Sequence, residues 1–143
     1  MRQRNLSELR DFGARYAAAW CSQDPEQVAA FFAPGGALTV NEGSPAAGRA
    51  AITEVARSFM TAFPDMQVLM DDLLLSGDRA EFHWTLIGTN TGPLGSGHRV
   101  RISGFESWKF GGDGLIAESE GHFDAAEYQR QLQHGAEKSP APR

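Results

Sequence analysis

Hydrophobic residues recur at intervals of three and four near the start of the chain, the spacing of one face of a helix. The row is Leu6, Leu9, Phe12, Tyr16 and Trp20. Asn5 precedes it as a potential N-cap, and Glu8 stands where it can complete a capping box. The pattern predicts a first helix that buries one face.

Two further helices are predicted before residue 64. Asp24 and the proline after it signal a short helix that runs through Phe32 and is stopped by the turn residues 34–36. Residues 37–42 are interpreted as a short strand, and a third helix is expected over about 49–63. The apolar face of the third helix is Ile52, Val55, Phe59 and Phe63.

From residue 66 onwards the hydrophobic period changes from 3.6 to 2, which is typical of strands. Four strands are predicted, near 66–75, 79–91, 98–110 and 115–123, before a closing helix that begins at Asp124. Helices followed by a long antiparallel meander predict an α+β fold. Strands this long, with glycines at 88 and 104, are expected to curve around the helices and enclose a cavity.

One carboxylate falls on the apolar face of the predicted strand 98–110. The residues of that face are Val100, Ile102, Gly104, Glu106, Trp108 and Phe110. Because an ionised carboxylate is costly to bury alone, Glu106 needs an explanation. Three explanations are open. Glu106 forms an ion pair with a helix arginine (Arg15, Arg49 or Arg57), or it reaches solvent at the end of the strand, or it lies in an apolar cleft that raises its pKa. The last arrangement is that of a general acid or base.

The other polar residues favour structural explanations. Glu118, Glu120, His122 and Asp124 alternate on one face of the last strand. That face is interpreted as solvated or subunit-facing, with Asp124 as a helix cap. The histidines show no metal-ligand spacing, and neither a nucleophile elbow nor a phosphate-binding loop is present. We therefore expect no metal and no cofactor.

Composition narrows the class of protein. A length of 143 residues, 41% hydrophobic and 22% charged, fits one globular domain, expected over 1–135 with a disordered tail at 136–143. A net charge of −5 without a basic cluster argues against a nucleic-acid partner. No apolar run approaches the roughly 20 residues of a membrane span, and the lone Cys21 fits a cytoplasmic protein.

Three segments carry a family resemblance: RYAAAWCSQDPEQVAAFFAPGGALTVN, the strand region 63–110 with its phrase HWTLIGTNTG, and GLIAESEGHFDAAEYQRQL. Over about 5–134 the chain resembles the SnoaL-like polyketide cyclases of the nuclear-transport-factor-two-like superfamily, cousins of ketosteroid isomerase and limonene epoxide hydrolase. The resemblance implies an α+β cone, with a curved antiparallel or mixed sheet around helices and an internal apolar cavity. It also implies a homodimer through the outer sheet face and metal-free acid–base chemistry on carbonyl or epoxide substrates.

The resemblance also suggests roles for single residues. Glu106 stands where the family often has a catalytic His or Asp, Asn41 matches a pocket Asn, and Tyr16 matches a cavity-facing Tyr. From the residues alone, Asn41 fits a turn equally well, and Tyr16 fits a helical core. We expect the aromatic residues Trp20, Phe59, Phe63, Trp84, Trp108 and Phe123 to contact a substrate. The chain departs from the family at Gly121, where many members carry the acid–base Asp.

The favoured function is an enzyme of the isomerase or aldol cyclase type, acting on a small hydrophobic molecule. Glu106 would move a proton alpha to a carbonyl, and Tyr16 or Asn41 would donate a hydrogen bond to the enolate oxygen. Two alternatives remain. One is a non-catalytic module that binds a small apolar ligand, and the other is a dimeric interaction domain whose cavity is filled by Trp84, Trp108 and Phe59.

Overall fold

The structure is a computed structural model that describes residues 5–136. The rest of the predicted tail, from residue 137 onwards, lies outside the described residues. The helices are α1 (Leu6–Cys21), α2 (Pro25–Ala29), α3 (Arg49–Ala62) and α4 (Ala125–His134). Helix α1 begins with the predicted capping box: Asn5 Oδ1 accepts a hydrogen bond from the Glu8 backbone N–H at 2.8 Å, and the Glu8 carboxylate accepts from the Asn5 backbone N–H. Local capping chemistry therefore fixes where this helix starts.

Six strands form one curved, unclosed sheet beside these helices. They are β1 (Phe32–Val40), β2 (Ala46–Ala47), β3 (Gln67–Ser76), β4 (Arg79–Thr89), β5 (Arg99–Phe110) and β6 (Ile116–Phe123). The spatial order is β2-β1-β6-β5-β4-β3, with β1 parallel to β6 and every other pair antiparallel. The sheet is therefore mixed, and the predicted α+β cone is confirmed.

The start of β1 differs from the prediction. Helix α2 ends at Ala29, and Phe32 already pairs with β6 as a strand residue. The register then shifts before Ala37, and β2 pairs with β1 only at Ala37 and Leu38. Pro34 therefore lies in an irregular stretch with a free edge, the setting in which a strand tolerates a residue without an N–H. The proline and glycines that predicted a helix stop instead mark this irregularity.

Aromatic side chains from α1 and the concave sheet face build the core around Tyr16. Trp108 stacks on Phe82 with 5.0 Å between ring centroids, and both rings meet Tyr16 edge-on. The predicted inner row of α1 is buried from Leu9 onwards, whereas Leu6 is exposed in the first turn. Within the described residues, no helix is both long and apolar enough to cross a bilayer.

Candidate functional site

Glu106 lies on the concave face of β5, where strand alternation placed it. It is 7% exposed. Its Oε1 accepts three hydrogen bonds: from Tyr16 Oη at 2.9 Å, from Trp108 Nε1 at 2.9 Å and from Ser119 Oγ at 2.8 Å. Tyr16 Oη also lies 3.2 Å from Oε2. The carboxyl is thus buried and held by neutral donors from α1, β5 and β6.

None of the three arginines considered from the sequence bonds this carboxyl. Arg15 bonds Asp11 at 3.0 Å, Arg49 bonds the Phe32 carbonyl oxygen at 2.9 Å, and Arg57 bonds Glu54 at 3.3 Å. Across residues 5–136, no cationic side chain forms a salt bridge with Glu106. Of the three explanations drawn from the sequence, the apolar cleft is the one that the geometry matches.

The site shifts the proton affinities of two groups. Burial raises the pKa of the Glu106 carboxyl above its ordinary value, since apolar surroundings disfavour the charged form, while the bonds from Trp108, Ser119 and Tyr16 lower it in part. Burial, and then the neighbouring carboxylate, raise the pKa of Tyr16 well above its ordinary value, against a lowering hydrogen bond with Trp20. Tyr16 therefore stays protonated and acts as a donor to Glu106.

The two oxygens of Glu106 have different surroundings. An indole N–H can only donate, so the oxygen that Trp108 contacts must accept. Three donors surround Oε1, whereas Oε2 has one longer contact, from Tyr16. Because a phenol carries a single proton, its bond at 2.9 Å to Oε1 leaves Oε2 as the oxygen with fewer donors among the described residues.

An apolar cavity of about 70 Å³ borders Glu106. Its lining is Trp20, Leu38, Val40, Val55, Phe59, Val68, Phe82, Trp84, Leu86, Ile102, Glu106, Gly121, Phe123 and Tyr128. Glu106 is the one carboxylate among these lining residues. A water needs roughly 10–15 Å³ of such space, so the cavity has room for a small organic molecule.

Gly121 lies directly opposite Glu106 in the β5–β6 ladder. A Cβ there would be 3.7 Å from Glu106 Cγ and 3.5 Å from the Thr39 carbonyl oxygen, which is ordinary van der Waals contact. The backbone therefore does not require glycine at this point. Its missing side chain leaves space beside the carboxyl. In this chain the acid stands on β5, across the ladder from the β6 position where the resemblance places an Asp.

The remaining predicted residues divide into two groups. Trp20, Phe59, Trp84 and Phe123 line the cavity, whereas Tyr16, Phe63 and Trp108 are fully buried outside its lining. Tyr16 and Trp108 contact Glu106 from that buried side. Phe63 packs against the backbone of Gly88, and a Cβ added at Gly88 would lie 3.0 Å from the Cβ of Phe63. The ring of Phe63 also lies near the ring of Tyr128.

Asn41 lies outside the lining of this cavity and borders a second, more open pocket beside Phe105 and His122. It ends β1 with a φ of 52°. Its Oδ1 accepts a hydrogen bond from the Phe123 backbone N–H at 2.9 Å, and its own N–H donates to the Gly121 carbonyl oxygen at 2.7 Å. Asn41 therefore ties β1 to β6, in keeping with the turn interpretation.

Ser119 is the functional residue that the sequence analysis missed. It is fully buried and donates to Glu106 from β6. Ser119 is two residues before Gly121 in the strand, so both face the concave side of the sheet. Strand alternation in the last strand could therefore have indicated Ser119.

In the part of the chain that the structure describes, no group of three or more His, Cys, Asp or Glu side chains could hold a metal ion.

Several solved structures share this fold. A putative SnoaL-like polyketide cyclase from Jannaschia is 14% identical with a TM-score of 0.76, covering 94% of this chain and 99% of that one. AclR, a putative hydroxylase from Streptomyces galilaeus, is 19% identical with a TM-score of 0.75, covering 96% and 87%. A hypothetical protein with a ketosteroid isomerase-like fold from Catenulispora acidiphila, in complex with trimethylamine, is 17% identical with a TM-score of 0.75, covering 91% and 98%.

These likenesses show a shared fold. No curated protein sequence matches the chain. The family model for SnoaL-like polyketide cyclase matches residues 11–132, which include the whole ladder around Glu106. The chain belongs to the SnoaL-like polyketide cyclase family.

Proposed function

We propose that the protein is an enzyme that uses Glu106 as a general base and acid on a small hydrophobic carbonyl compound. The carboxylate takes a proton from the carbon next to the carbonyl, and the neutral carboxyl returns a proton to the resulting enolate or to its addition product. Double-bond isomerisation and aldol cyclisation both use these steps. The observation that carries the proposal is a buried carboxyl, held by neutral donors and no cation, at the wall of an apolar cavity.

The hydrogen bonds to Oε1 support a role in proton transfer. They hold the carboxyl in one orientation, so its second oxygen needs little reorganisation when it takes a proton. Burial raises the pKa of Glu106, which brings its basicity closer to that needed near neutral pH. Tyr16, whose proton is directed to Glu106, then acts as a positioning residue and not as a donor to the substrate.

The lining supports a small, hydrophobic substrate. Aliphatic and aromatic side chains make up nearly all of the cavity wall, and its volume of about 70 Å³ suits a compact molecule. A structural relative with a ketosteroid isomerase-like fold was solved in complex with trimethylamine, itself a small organic molecule. We therefore place compact cyclic ketones first among the substrates to test.

Deuterium exchange tests the chemistry without knowledge of the final product. The protein is incubated in D₂O with cyclohexanone, cyclohexenone and methyl-substituted homologues, and deuterium at the α-carbon is followed by NMR. We expect wild-type protein to accelerate exchange and Glu106→Gln to lower the rate by about 10²–10⁴-fold. Glu120→Gln is the matched control, because Glu120 is exposed on the opposite sheet face. Equal exchange by wild-type and Glu106→Gln protein contradicts the proposal.

A non-catalytic binding module is the second candidate. It is favoured by Gly121, which stands where many family members carry their acid–base Asp. This candidate predicts that a ketone binds equally well to wild-type and Glu106→Gln protein, and that neither protein accelerates exchange.

We further propose that the protein is a cytoplasmic homodimer paired through the outer sheet face, with no nucleic-acid or membrane partner. The single cysteine supports the cytoplasmic location, and the net charge of −5 argues against a nucleic-acid partner. His83, Phe105 and His122 form a continuous row of rings on the outer face, with centroid distances of 5.4 and 5.0 Å. Sedimentation equilibrium of wild-type and Phe105→Glu protein tests the dimer, since a carboxylate in that row should shift the population to monomer.

A further inference from the structure

One polar group in the cavity wall is unexplained by the fold. Trp84 Nε1 is buried and has no hydrogen-bond partner within residues 5–136. By contrast, Trp108 Nε1 donates to Glu106 Oε1 at 2.9 Å. Buried N–H groups are rarely left unpaired, because they lose their bonds to water on folding. Trp84 lines the same cavity as Glu106, so a ligand that enters beside the ring and displaces the packing over the N–H can supply the acceptor.

The neighbouring strand fixes the position of this indole. Trp84 faces Gly104 in the β4–β5 ladder, and a Cβ on Gly104 would lie only 2.7 Å from Trp84 Cζ2. The indole ring therefore occupies the space that a side chain at position 104 would need. It meets the ring of Phe123 in an edge-type contact, with 5.9 Å between the centroids. A ring packed in this way holds its N–H in a fixed direction.

We propose that Trp84 Nε1 donates a hydrogen bond to the carbonyl oxygen of the ligand, and that the cavity selects compact oxygen acceptors over hydrocarbons of the same shape. This inference rests on the proposed function for the role of Glu106. It supplies the donor to the enolate oxygen that the sequence assigned to Tyr16 or Asn41. Neither of those side chains lines the cavity.

The strand pairing brings Trp84 and Glu106 close enough for both to face one ligand. Trp84 pairs with Gly104 and Glu106 pairs with Phe82, so Trp84 and Glu106 are diagonal neighbours. Diagonal residues on one sheet face lie about 7–8 Å apart. Both side chains leave the same sheet face, so a carbonyl compound in the cavity can turn its oxygen toward Trp84 and its α-carbon toward Glu106.

The reaction that this arrangement supports is balanced without a further reactant. The α-carbon–hydrogen bond breaks, and its proton moves to Glu106 Oε2. The electron pair left on carbon forms the enolate, whose oxygen gains negative charge and accepts more strongly from the Trp84 N–H. Return of the proton from Glu106 to carbon restores the carboxylate.

Two probes of similar shape test the inference by binding alone. Cyclohexanone carries the oxygen acceptor, and methylenecyclohexane replaces that oxygen with CH₂. Wild-type protein should bind cyclohexanone more tightly, and Trp84→Phe should reduce this preference by about five- to tenfold. Trp20→Phe controls for the lost ring volume, because it trims another cavity-lining indole. It should change the affinity for both probes alike and leave their ratio as in wild type. A preference that persists in Trp84→Phe overturns the inference.

The indole resonances give a second readout that needs no variant. In ¹⁵N–¹H NMR, the Trp84 Nε1–H signal, assigned through its contacts to Gly104 and Phe123, should move downfield with cyclohexanone and not with methylenecyclohexane. Equal shifts with both probes, or no binding of cyclohexanone up to its solubility, overturn the inference. Glu106→Gln separates the proposal for Trp84 from the proposal for Glu106. A Trp84 shift that is retained in this variant without α-exchange supports Trp84 as the donor. This conclusion holds whether or not the wild-type protein catalyses exchange.

Discussion

The substitution Glu106→Gln isolates the effect of ionising the buried carboxyl on stability. Gln keeps an oxygen for the donors Tyr16, Trp108 and Ser119 but carries no charge at any pH. It also has nearly the same volume as Glu, so cavity formation does not contribute. The difference in unfolding free energy between variant and wild type therefore reports the cost of placing the charge in this site.

The sign of the pH dependence follows from the direction of the pKa shift. In the unfolded chain Glu106 titrates near the ordinary value of about 4.3, and burial raises its pKa in the folded protein. Between the two values the folded protein holds a proton that the unfolded chain has released, so wild-type stability falls as pH rises. The contribution is fully present below the unfolded pKa and lost above the folded one. The loss is about 1.4 kcal/mol for each unit that separates them.

Urea unfolding measures this difference directly. Wild-type, Glu106→Gln and Glu120→Gln proteins are compared from about pH 4 to about pH 8. The stability of Glu106→Gln relative to wild type should rise with pH and then level off, whereas exposed Glu120→Gln should parallel wild type. A difference that does not change with pH would refute the reasoning, because it would mean that the carboxyl ionises as easily in the folded protein as in water.

Two more pairs of variants test the site. Ser119→Ala removes a donor at 2.8 Å and should raise the pKa of Glu106 by about one unit or more, since a bond to a charged group contributes about 1.5–3 kcal/mol. Ser107→Ala, on the outer face, should leave the ¹³C titration midpoint unchanged, and equal midpoints in both variants would count against the assignment. Gly104→Ala would press its Cβ against the His122 carbonyl oxygen and should destabilise the fold by about 1–3 kcal/mol. Gly121→Ala meets only ordinary contacts and should melt like wild type while weakening cyclohexanone binding; similar melting of the two variants would disprove the clash.

Local patterns in the sequence predicted most of the fold and the face on which the key acid stands. Strand alternation needs only neighbouring residues, and it placed Glu106 inward without any knowledge of the sheet. Alternation specifies the face but not the depth of a residue. Trp84 and Trp108 share that inward parity, yet Trp84 lines the cavity and Trp108 lies fully buried outside it.

The parts that could not be predicted depend on contacts between distant segments. Tyr16 and Glu106 are 90 positions apart, so their hydrogen bond could not be inferred from spacing. Phe32 becomes a strand residue because β6 pairs with it in parallel, while its local sequence fits a helix end equally well. The side-chain oxygen of Asn41 accepts a hydrogen bond from the Phe123 backbone N–H, a contact that depends on the pairing of β1 with β6.

The protonation of Glu106 in the wild-type protein is the measurement on which the account depends. The carboxyl carbon can be followed by ¹³C NMR, with Glu106→Gln to assign the signal, and titrated without any ligand. We predict a midpoint above the ordinary value of about 4.3, because burial outweighs the three neutral donors. A midpoint at or below that value would contradict the account, since it would place the carboxylate in contact with water or with a cation.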